Sequence, residues 1–315
     1  MADAAGWSTI ESDEGVFTSL VENLGVKGVQ FEELISLDPD TIRSLGTVYG
    51  VIFLFKYLRA PATSNTQRQD GVPATNIPEN FFFANQTIQN ACGTQAILSI
   101  LLNHDTPTPE NHQTPISLGP ELSSFKDFTT GFPSDLRGEA LSNSEAIRTA
   151  HNAFAKASPF VDETSRPQNE DEEGDVYHFI AYTPVNGKLY ELDGLQPAPI
   201  SHGPCDAETF PEKVIGVLQR RIARYPETET RFNLMAVVKD LRIRAGEVGD
   251  VEALRTEERK RAGWAWENSL RRSNFVGFIG EVLKGVVGGK EAEGEGAIDA
   301  WVKRAEGETA KRLRR

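Results

Sequence analysis

Residues 90–102 have the sequence Asn-Ala-Cys-Gly-Thr-Gln-Ala-Ile-Leu-Ser-Ile-Leu-Leu. The side chains from Ala96 to Leu102 are apolar nearly all round, which predicts a helix buried in the core. Asn90 is a favourable residue for the N-cap of such a helix. Cys92 then falls in the first helical turn, where free N–H groups and the helix dipole stabilise a thiolate. Position alone leaves two interpretations open, a nucleophile or a small core cysteine.

The second cysteine has a weaker claim to chemistry. Cys205 lies in the sequence Gly-Pro-Cys-Asp, where no helix begins. We therefore predict that it is an incidental loop thiol.

Five histidines are candidates for a catalytic base. His178 lies inside the apolar sequence Val-Tyr-His-Phe-Ile-Ala of residues 176–181, where a histidine is either a hydrogen-bonded core residue or a catalytic one. The others occupy polar helix ends or loops and are predicted to be surface residues; they are His104, His112, His151 and His202.

A hairpin relates the histidine to a carboxylate. Residues 176–183 and 188–193 are predicted strands, and the Asn-Gly pair between them is a strong hairpin signal. If that pair sets the register, Ile180 faces Asp193. Because side chains alternate along a strand, Asp193 shares a face with His178 and lies one diagonal step away, roughly 7–8 Å.

Such a carboxylate would hold the Nδ1 proton of His178 and leave the other ring nitrogen to take a proton from Cys92. The alternative is that Asp193 only begins an Asp-Gly turn. Gln86 lies six residues before Cys92, where its amide could join the Cys92 backbone N–H as an oxyanion donor. A solvated loop glutamine is the alternative at that position.

The remaining patterns predict a mixed α/β chain. Predicted helices cover residues 16–24, 30–36, a short stretch after 40, 118–129, 135–142, 144–156 and 208–224. Predicted strands cover 49–57, 81–83 and 232–238, and a loop covers 61–78. Residues 157–175 are acidic and without periodicity, which is typical of a functional or disordered loop.

The composition excludes several classes of function. The 315 residues carry 33 basic and 46 acidic side chains, so the net charge is -13, which disfavours nucleic acid and anionic membranes and favours a basic protein partner. No run approaches 18 apolar residues, and the first residues lack a secretory pattern. Two cysteines form neither a disulfide framework nor a four-cysteine zinc site. We expect an intracellular protein with reduced thiols and without a metal or cofactor.

Composition changes after about residue 240, where the chain becomes charged and poor in strand formers. We predict a catalytic domain over 6–240 and a helical extension over 241–315. The extension is predicted to contain a long helix over 250–272 and a short apolar helix over 275–287. Two glycines at 288 and 289 then break the helix before a last one.

Three blocks resemble the ubiquitin C-terminal hydrolase family. Residues 83–96, Phe-Ala-Asn-Gln-Thr-Ile-Gln-Asn-Ala-Cys-Gly-Thr-Gln-Ala, resemble its active-site signature. Residues 177–182, Tyr-His-Phe-Ile-Ala-Tyr, followed by residues 189–195, Leu-Tyr-Glu-Leu-Asp-Gly-Leu, resemble its histidine and aspartate blocks. Residues 7–17 resemble its opening, ubiquitin-binding segment. The blocks stand in the family's order over about 6–240.

The resemblance implies a papain-like α/β (α+β) fold with a central antiparallel sheet flanked by helices. It implies Cys92 as nucleophile, His178 as base and acid, Asp193 as the orienting carboxylate and Gln86 as oxyanion donor. The substrate would be ubiquitin conjugates, cleaved after the C-terminal glycine of ubiquitin.

The resemblance also places a crossover loop at 157–175, over the active site, where an acidic loop suits a ubiquitin tail that carries arginines. Residues 271–275 and the apolar helix after them resemble the long-tailed branch that works on the proteasome. In that branch the tail contacts ubiquitin and docks to an adaptor-type ubiquitin receptor. Residues 311–315 are basic but lack the branch's usual adaptor-binding motif. A cytoplasmic and nuclear location follows from this branch.

Two alternative hypotheses of function remain. Another papain-like thiol enzyme, such as an acyltransferase or a general protease, would have cysteine, histidine and acid in the same order, but the N-terminal block and the crossover segment argue against it. A ubiquitin-binding scaffold is the non-enzymatic alternative. Competent residues at all four catalytic positions disfavour a dead site, whereas a masked site that a partner opens is compatible with the sequence.

Overall fold

A computed structural model describes residues 6–57, 70–106, 115–155, 176–273 and 275–312. The helices in these ranges are α1 (Glu14–Asn23), α2 (Pro39–Ser44), α3 (Cys92–Leu101), α4 (Gly119–Thr129), α5 (Ser134–Asn143), α6 (Glu145–Asn152), α7 (Phe210–Ile222), α8 (Leu241–Val248), α9 (Val251–Arg272), α10 (Val276–Ala292) and α11 (Ala297–Arg312). The strands are β1 (Val29–Glu33), β2 (Val48–Lys56), β3 (Val72–Pro73), β4 (Tyr177–Val185), β5 (Lys188–Leu192), β6 (Ile200–Pro204) and β7 (Asn233–Lys239). The predicted mixed α/β class is confirmed.

The strands of the described ranges form one sheet of seven, in the order β1-β7-β2-β4-β5-β6-β3. Each pairing is antiparallel. The predicted central antiparallel sheet is therefore confirmed. Its middle strands, β2 and β4, pair directly over six residues each, Val51 to Lys56 against Tyr177 to Tyr182.

Alternation along the strands divides the core between the two faces of the sheet. Ile52 and Ala181 face a cluster that contains residues of α1, α3 and α4 to α6. Phe53 and Ile180 face the opposite cluster, which contains residues of α2 and α7. Nine of the ten residues of α3 are buried, as its apolar sequence predicts. The helix that begins at Cys92 is therefore held rigidly against the sheet.

Two sequence predictions are wrong because tertiary contacts decide the local structure. Residues 30–36 were predicted helical, but β1 occupies this region and pairs with β7 from Val29 to Glu33. Residues 81–83 form no strand. The N–H and C=O of Phe82 bond instead to the side chain of Asn103, at 2.9 and 2.8 Å. A side chain thus replaces the neighbouring strand as the hydrogen-bond partner.

The predicted break at residues 288 and 289 is also wrong, because α10 continues through both glycines to Ala292. A glycine inside a helix costs only about 1 kcal/mol relative to alanine, which does not have to end it. The predicted loop over 61–78 is described from residue 70 onward, and there it is wrong at Val72 and Pro73, which form the short strand β3 against β6. The acidic segment 157–175 lies outside the described residues.

Helices α8 and α9 are part of the same compact unit as the sheet, and this unit ends at Arg272. The indole of Trp264 lies on the backbone of α1, where a Cβ added to Gly15 would meet its Cγ at 2.6 Å. Asn268 donates to the carbonyl of Gly15 at 3.1 Å. Arg271 pairs with Asp13, the N-cap of α1, at 2.9 Å.

Residues 273–315 belong to a second unit, in which α10 and α11 pack together. Helix α10 exposes several large apolar side chains. None of the described helices is both long and apolar enough to cross a bilayer.

The packing of α9 predicts a difference between two tryptophans of one helix. Trp264 is 7% exposed and Trp266 is 65% exposed. Trp264→Ala is expected to lower the free energy of unfolding by about 3–5 kcal/mol, since it leaves a cavity against α1. Trp266→Ala is the matched control and should change it by less than about 1 kcal/mol. Urea unfolding of both variants measures this, and equal effects would contradict the packing of α9 as part of the first unit.

Candidate active site

The thiol of Cys92 lies at the first residue of α3, as predicted, but the helix begins differently from the prediction. Ala91 is the N-cap, and Asn90 adopts the left-handed conformation with φ 66°. The side-chain amide of Asn90 donates to the carbonyl of Trp7 at 3.0 Å. Asn90 therefore shapes the turn into α3 and ties it to the N-terminal segment, while the thiol remains half-buried at the helix start.

The hairpin has the predicted register. Val185 pairs with Lys188 and Ala181 with Leu192, so the next position along places Ile180 opposite residue 193. His178 and Asp193 consequently share a face and meet. The His178 Nε2 and Asp193 Oδ1 atoms are 2.7 Å apart, and their side chains are 5% and 3% exposed.

The ring nitrogen that meets the carboxylate differs from the prediction. Asp193 bonds Nε2 rather than Nδ1, and His178 also has a side-chain hydrogen bond to Cys92. The nitrogen left for Cys92 is thus Nδ1. The His178 ring also makes T-shaped contacts with two aromatic rings, with the centroids of Phe55 and Tyr57 each 5.8 Å from that of His178.

The electrostatics of the pair favour a charged imidazole. Burial alone would lower the pKa of His178, but its hydrogen bonds to Asp193 and Cys92 and their charges outweigh burial and raise this pKa to about 9. Burial likewise opposes ionisation of Asp193. The hydrogen bond and charge of His178, with the N–H of Leu195 at 3.0 Å from Oδ1, nevertheless lower the pKa of Asp193.

Gln86 lies beside the turn that follows Asp193. Its backbone N–H donates to the carbonyl of Gly194 at 2.8 Å, and its side-chain amide donates to the carbonyl of Ile88 at 3.0 Å. An amide nitrogen carries two hydrogens, so one N–H of Gln86 remains for another acceptor. The structure therefore brings the segment of Gln86 to the carboxylate of the hairpin.

The neighbouring Asn85 fixes this segment from two sides. Its backbone N–H donates to Ser134 of α5 at 2.8 Å, and its amide donates to the carbonyl of Gln196 at 2.7 Å. A Cβ added to Gly138 of α5 would overlap the carbonyl oxygen of Asn85. Only glycine at position 138 allows α5 to approach the segment this closely.

Two histidines predicted at the surface are buried. His104 Nε2 lies 2.7 Å from the hydroxyl of Thr183, and burial lowers the pKa of His104 to about 4. His151 bridges the hydroxyl of Thr94 in α3, at 2.7 Å, and the carbonyl of Ser8, at 2.6 Å. Burial lowers its pKa too. His151 follows Ile147 by one helical turn, so the two share a helix face. This spacing was the signal in the sequence that could have predicted the burial of His151.

Of the remaining two, His112 lies outside the described residues and His202 joins a buried ion network. Glu191 lies between His202 Nε2, at 3.3 Å, and Arg221 of α7, at 2.5 Å. The Arg221 guanidinium also covers the ring of Phe55 at 4.5 Å. Sequence reasoning missed this network, since Arg221 and Glu191 are 30 residues apart and no local pattern relates them. The positive charge of Arg221 contributes to the low pKa of the neighbouring Asp193.

Cys205 lies in a loop, as predicted, but it is buried and packs in the core cluster of the α7 face. Burial raises its pKa to about 11. The thiol of Cys205 is therefore protonated at neutral pH and is a poor nucleophile.

A thiol at the start of a buried helix, facing an imidazole and a carboxylate on an antiparallel sheet, is the arrangement of papain-like cysteine hydrolases. Comparison with known proteins defines the family within this class. Residues 7–223 match ubiquitin carboxyl-terminal hydrolase, family 1, and residues 249–287 match a second family described as ubiquitin carboxyl-terminal hydrolases.

Individual relatives agree. Over 284 residues the chain is 49% identical to ubiquitin carboxyl-terminal hydrolase 2 of Schizosaccharomyces pombe, covering 88% of this chain and 90% of that protein. It is 37% identical to ubiquitin carboxyl-terminal hydrolase ubh-4 of Caenorhabditis elegans, covering 95% and 92%. The crystal structure of Trichinella spiralis UCH37 bound to ubiquitin vinyl methyl ester matches with a TM-score of 0.61 and 33% identity, covering 84% and 99%. The chain belongs to the ubiquitin carboxyl-terminal hydrolase family, and it is a cysteine-type deubiquitinase.

The raised pKa of His178 predicts a pH-dependent stability. A group whose pKa rises from 6.5 to about 9 on folding stabilises the folded state fully below pH 6.5, and this stabilisation is lost as pH rises through about 9. Asp193→Asn should therefore lower the free energy of unfolding by up to about 3 kcal/mol at pH 6 and by less at pH 9.5.

Urea unfolding at both pH values measures the effect. Asp206→Asn, an exposed carboxylate whose low pKa comes mainly from its hydrogen bonds to Thr209, is the control and should give the same change at both. If Asp193→Asn lowers the free energy of unfolding by the same amount at pH 6 and pH 9.5, the charged pair is contradicted.

Proposed function

We propose that this deubiquitinase cleaves the peptide or isopeptide bond after the C-terminal glycine of ubiquitin with Cys92 as nucleophile, His178 as base and acid, and Asp193 as the orienting carboxylate. The observation that carries the proposal is the 2.7 Å bond between His178 Nε2 and Asp193. This bond directs the other nitrogen, Nδ1, to the sulfur of Cys92, with which His178 is hydrogen-bonded.

The reaction proceeds in two steps. The Cys92 sulfur attacks the glycine carbonyl carbon, and the proton held on Nδ1 of His178 passes to the leaving amine as the C–N bond breaks. A thioester and a free amine result. Water then gives one proton back to Nδ1 while its oxygen attacks the thioester carbon and the C–S bond breaks. The new carboxyl group loses the second proton to solvent, so the ubiquitin carboxylate is released and the freed sulfur again faces a protonated Nδ1.

Negative charge develops on the carbonyl oxygen in both steps. The second N–H of the Gln86 amide and the backbone N–H of Cys92 are the proposed donors to this oxyanion. Support comes from the amide of Gln86, which Ile88 engages through one N–H only, and from the position of Cys92 in the first helical turn, where N–H groups lack helical acceptors. Preorganised donors of this kind contribute about 10²–10³ in rate.

The two cysteines provide a matched test of the nucleophile. Turnover of a ubiquitin C-terminal fluorogenic amide is expected to fall about 10⁴-fold or more in Cys92→Ala. Cys205→Ala should retain turnover close to that of the parent protein, since its thiol is buried in the core cluster of the α7 face. Activity that survives Cys92→Ala would show that another group is the nucleophile.

We propose in addition that the extension docks to an adaptor-type ubiquitin receptor of the proteasome, and that the enzyme works in cytoplasm and nucleus. Because α9 belongs to the first unit, the docking segment is narrowed to residues 273–315. Support comes from the exposed apolar residues of α10, which suit an apolar groove on a partner; they are Phe278, Ile279, Val282 and Leu283. Two free cysteines suit a reducing compartment.

Substitution on α10 tests this partner. Ile279→Asp should weaken binding of the purified proteasomal receptor at least about 10-fold, because a charge replaces a buried apolar contact. Glu291→Gln, at an exposed polar position of the same helix, should leave the dissociation constant unchanged. Isothermal titration measures both, and equal affinities for the parent and Ile279→Asp would exclude α10 as the docking helix.

A further inference from the structure

The side chain of Gln95 lies where three segments of the site meet. Gln95 is one helical turn after Cys92 on α3, so the two residues lie on adjacent positions of one helix face. Its side chain is buried, with 5% of the residue exposed. The amide nitrogen donates to the backbone carbonyl of Ala84 at 2.5 Å. Helix α3 is thereby tied to the chain two residues before Gln86.

The third segment is the turn after the hairpin. A Cβ added to Gly194 would overlap the amide nitrogen of Gln95 and would lie 3.1 Å from the Cβ of Gln86. The turn that follows Asp193 thus rests on the Gln95 amide. The carbonyl of the same glycine accepts the backbone N–H of Gln86 at 2.8 Å.

Different contacts attach the segment of Gln86 to different elements of the site. The backbone N–H of Gln86 is bonded to the turn after the hairpin, and Asn85 is bonded to that turn and to α5. The bond from Gln95 to Ala84 instead ties this segment to α3, the helix that carries the thiol. The carbonyl of Ala84 is in a residue only 1% exposed, so loss of its donor would leave a buried acceptor unsatisfied and the segment would shift.

We propose that Gln95 is a positioning residue for the reaction, and that its amide sets the distance between the thiol of Cys92 and the oxyanion donor Gln86. This inference rests on the proposed function, in which Gln86 contacts the oxyanion. Gln95 itself does not touch the reacting atoms. It acts by keeping the amide of Gln86 in register with the N–H of Cys92, where a displacement of about 1 Å can cost about 10²-fold in rate.

The first test separates oxyanion stabilisation from thiol reactivity. Gln95→Met keeps the length of the side chain but removes the donor. On the ubiquitin fluorogenic amide, kcat should fall about 10- to 100-fold, with KM unchanged. Alkylation of Cys92 by iodoacetamide should keep its rate, because this displacement forms no oxyanion. A parallel loss of kcat and alkylation rate would overturn the proposal.

A double-mutant cycle identifies the residue through which Gln95 acts. If Gln95 works through Gln86, then Gln95→Met should cost little further kcat in a Gln86→Ala background. If the double variant instead loses kcat by the product of the two single losses, the inference is overturned, while the oxyanion role of Gln86 stands. An unchanged kcat in Gln86→Ala alone would instead refute the proposed role of Gln86, and the inference on Gln95 with it.

Two further variants guard against a loss that comes from the helix itself. Ile97→Ala removes a buried side chain about 200° round α3 from Gln95, so it should lower the melting temperature but keep kcat at temperatures where the protein is folded. Gln95→Glu has the shape of glutamine and, when ionised, no donor, so it should repeat the loss of kcat if Gln95→Met does not fold. Full kcat in folded Gln95→Glu at a pH where that carboxyl is ionised would overturn the proposal.

Discussion

The buried hydrogen bond between His178 and Asp193 is the constraint on which the rest of the site depends. A charged imidazole and a carboxylate this deep in a protein persist only as a pair, because burial penalises each charge alone. Two neighbouring strands with the correct register are needed to bring them together. The bond also decides which ring nitrogen is left for the thiol, so the sheet sets both the charge and the direction of the proton transfer. The Arg221–Glu191 pair places a positive charge behind the carboxylate.

Hydrogen bonds of backbone groups hold the loops at this site. The segments that carry Gln86 and Asp193 have little regular structure, yet their N–H and C=O groups bond to one another and to side-chain amides. Glycines at positions 138 and 194 permit these approaches because a Cβ at either would overlap a polar atom. Such a site keeps donors at fixed distances without filling the space that a substrate peptide needs.

Helix α9 packs on the first unit, although its sequence resembles a solvated tail. Its charged sequence has the composition of a solvated tail, but Trp264, Asn268 and Arg271 bind it to the start of α1. Asp13 thus caps the first turn of α1, and Arg271, near the end of the first unit, neutralises the charge of the Asp13 carboxylate. The first compact unit ends at Arg272, and the second family match, over 249–287, spans this position.

Periodicity and turn chemistry by themselves determined the buried helix at Cys92, the hairpin with its register and the long helix over 251–272, because each depends on contacts between residues close in sequence. The sequence also selected Cys92, His178, Asp193 and Gln86 as candidates. Only the tertiary structure decided that residues 29–33 form a strand, since their partner, β7, lies some two hundred residues away. It alone placed Asn103 opposite Phe82 and chose Nε2 for the carboxylate, because long-range hydrogen bonds and the orientation of a ring leave no local pattern in the chain.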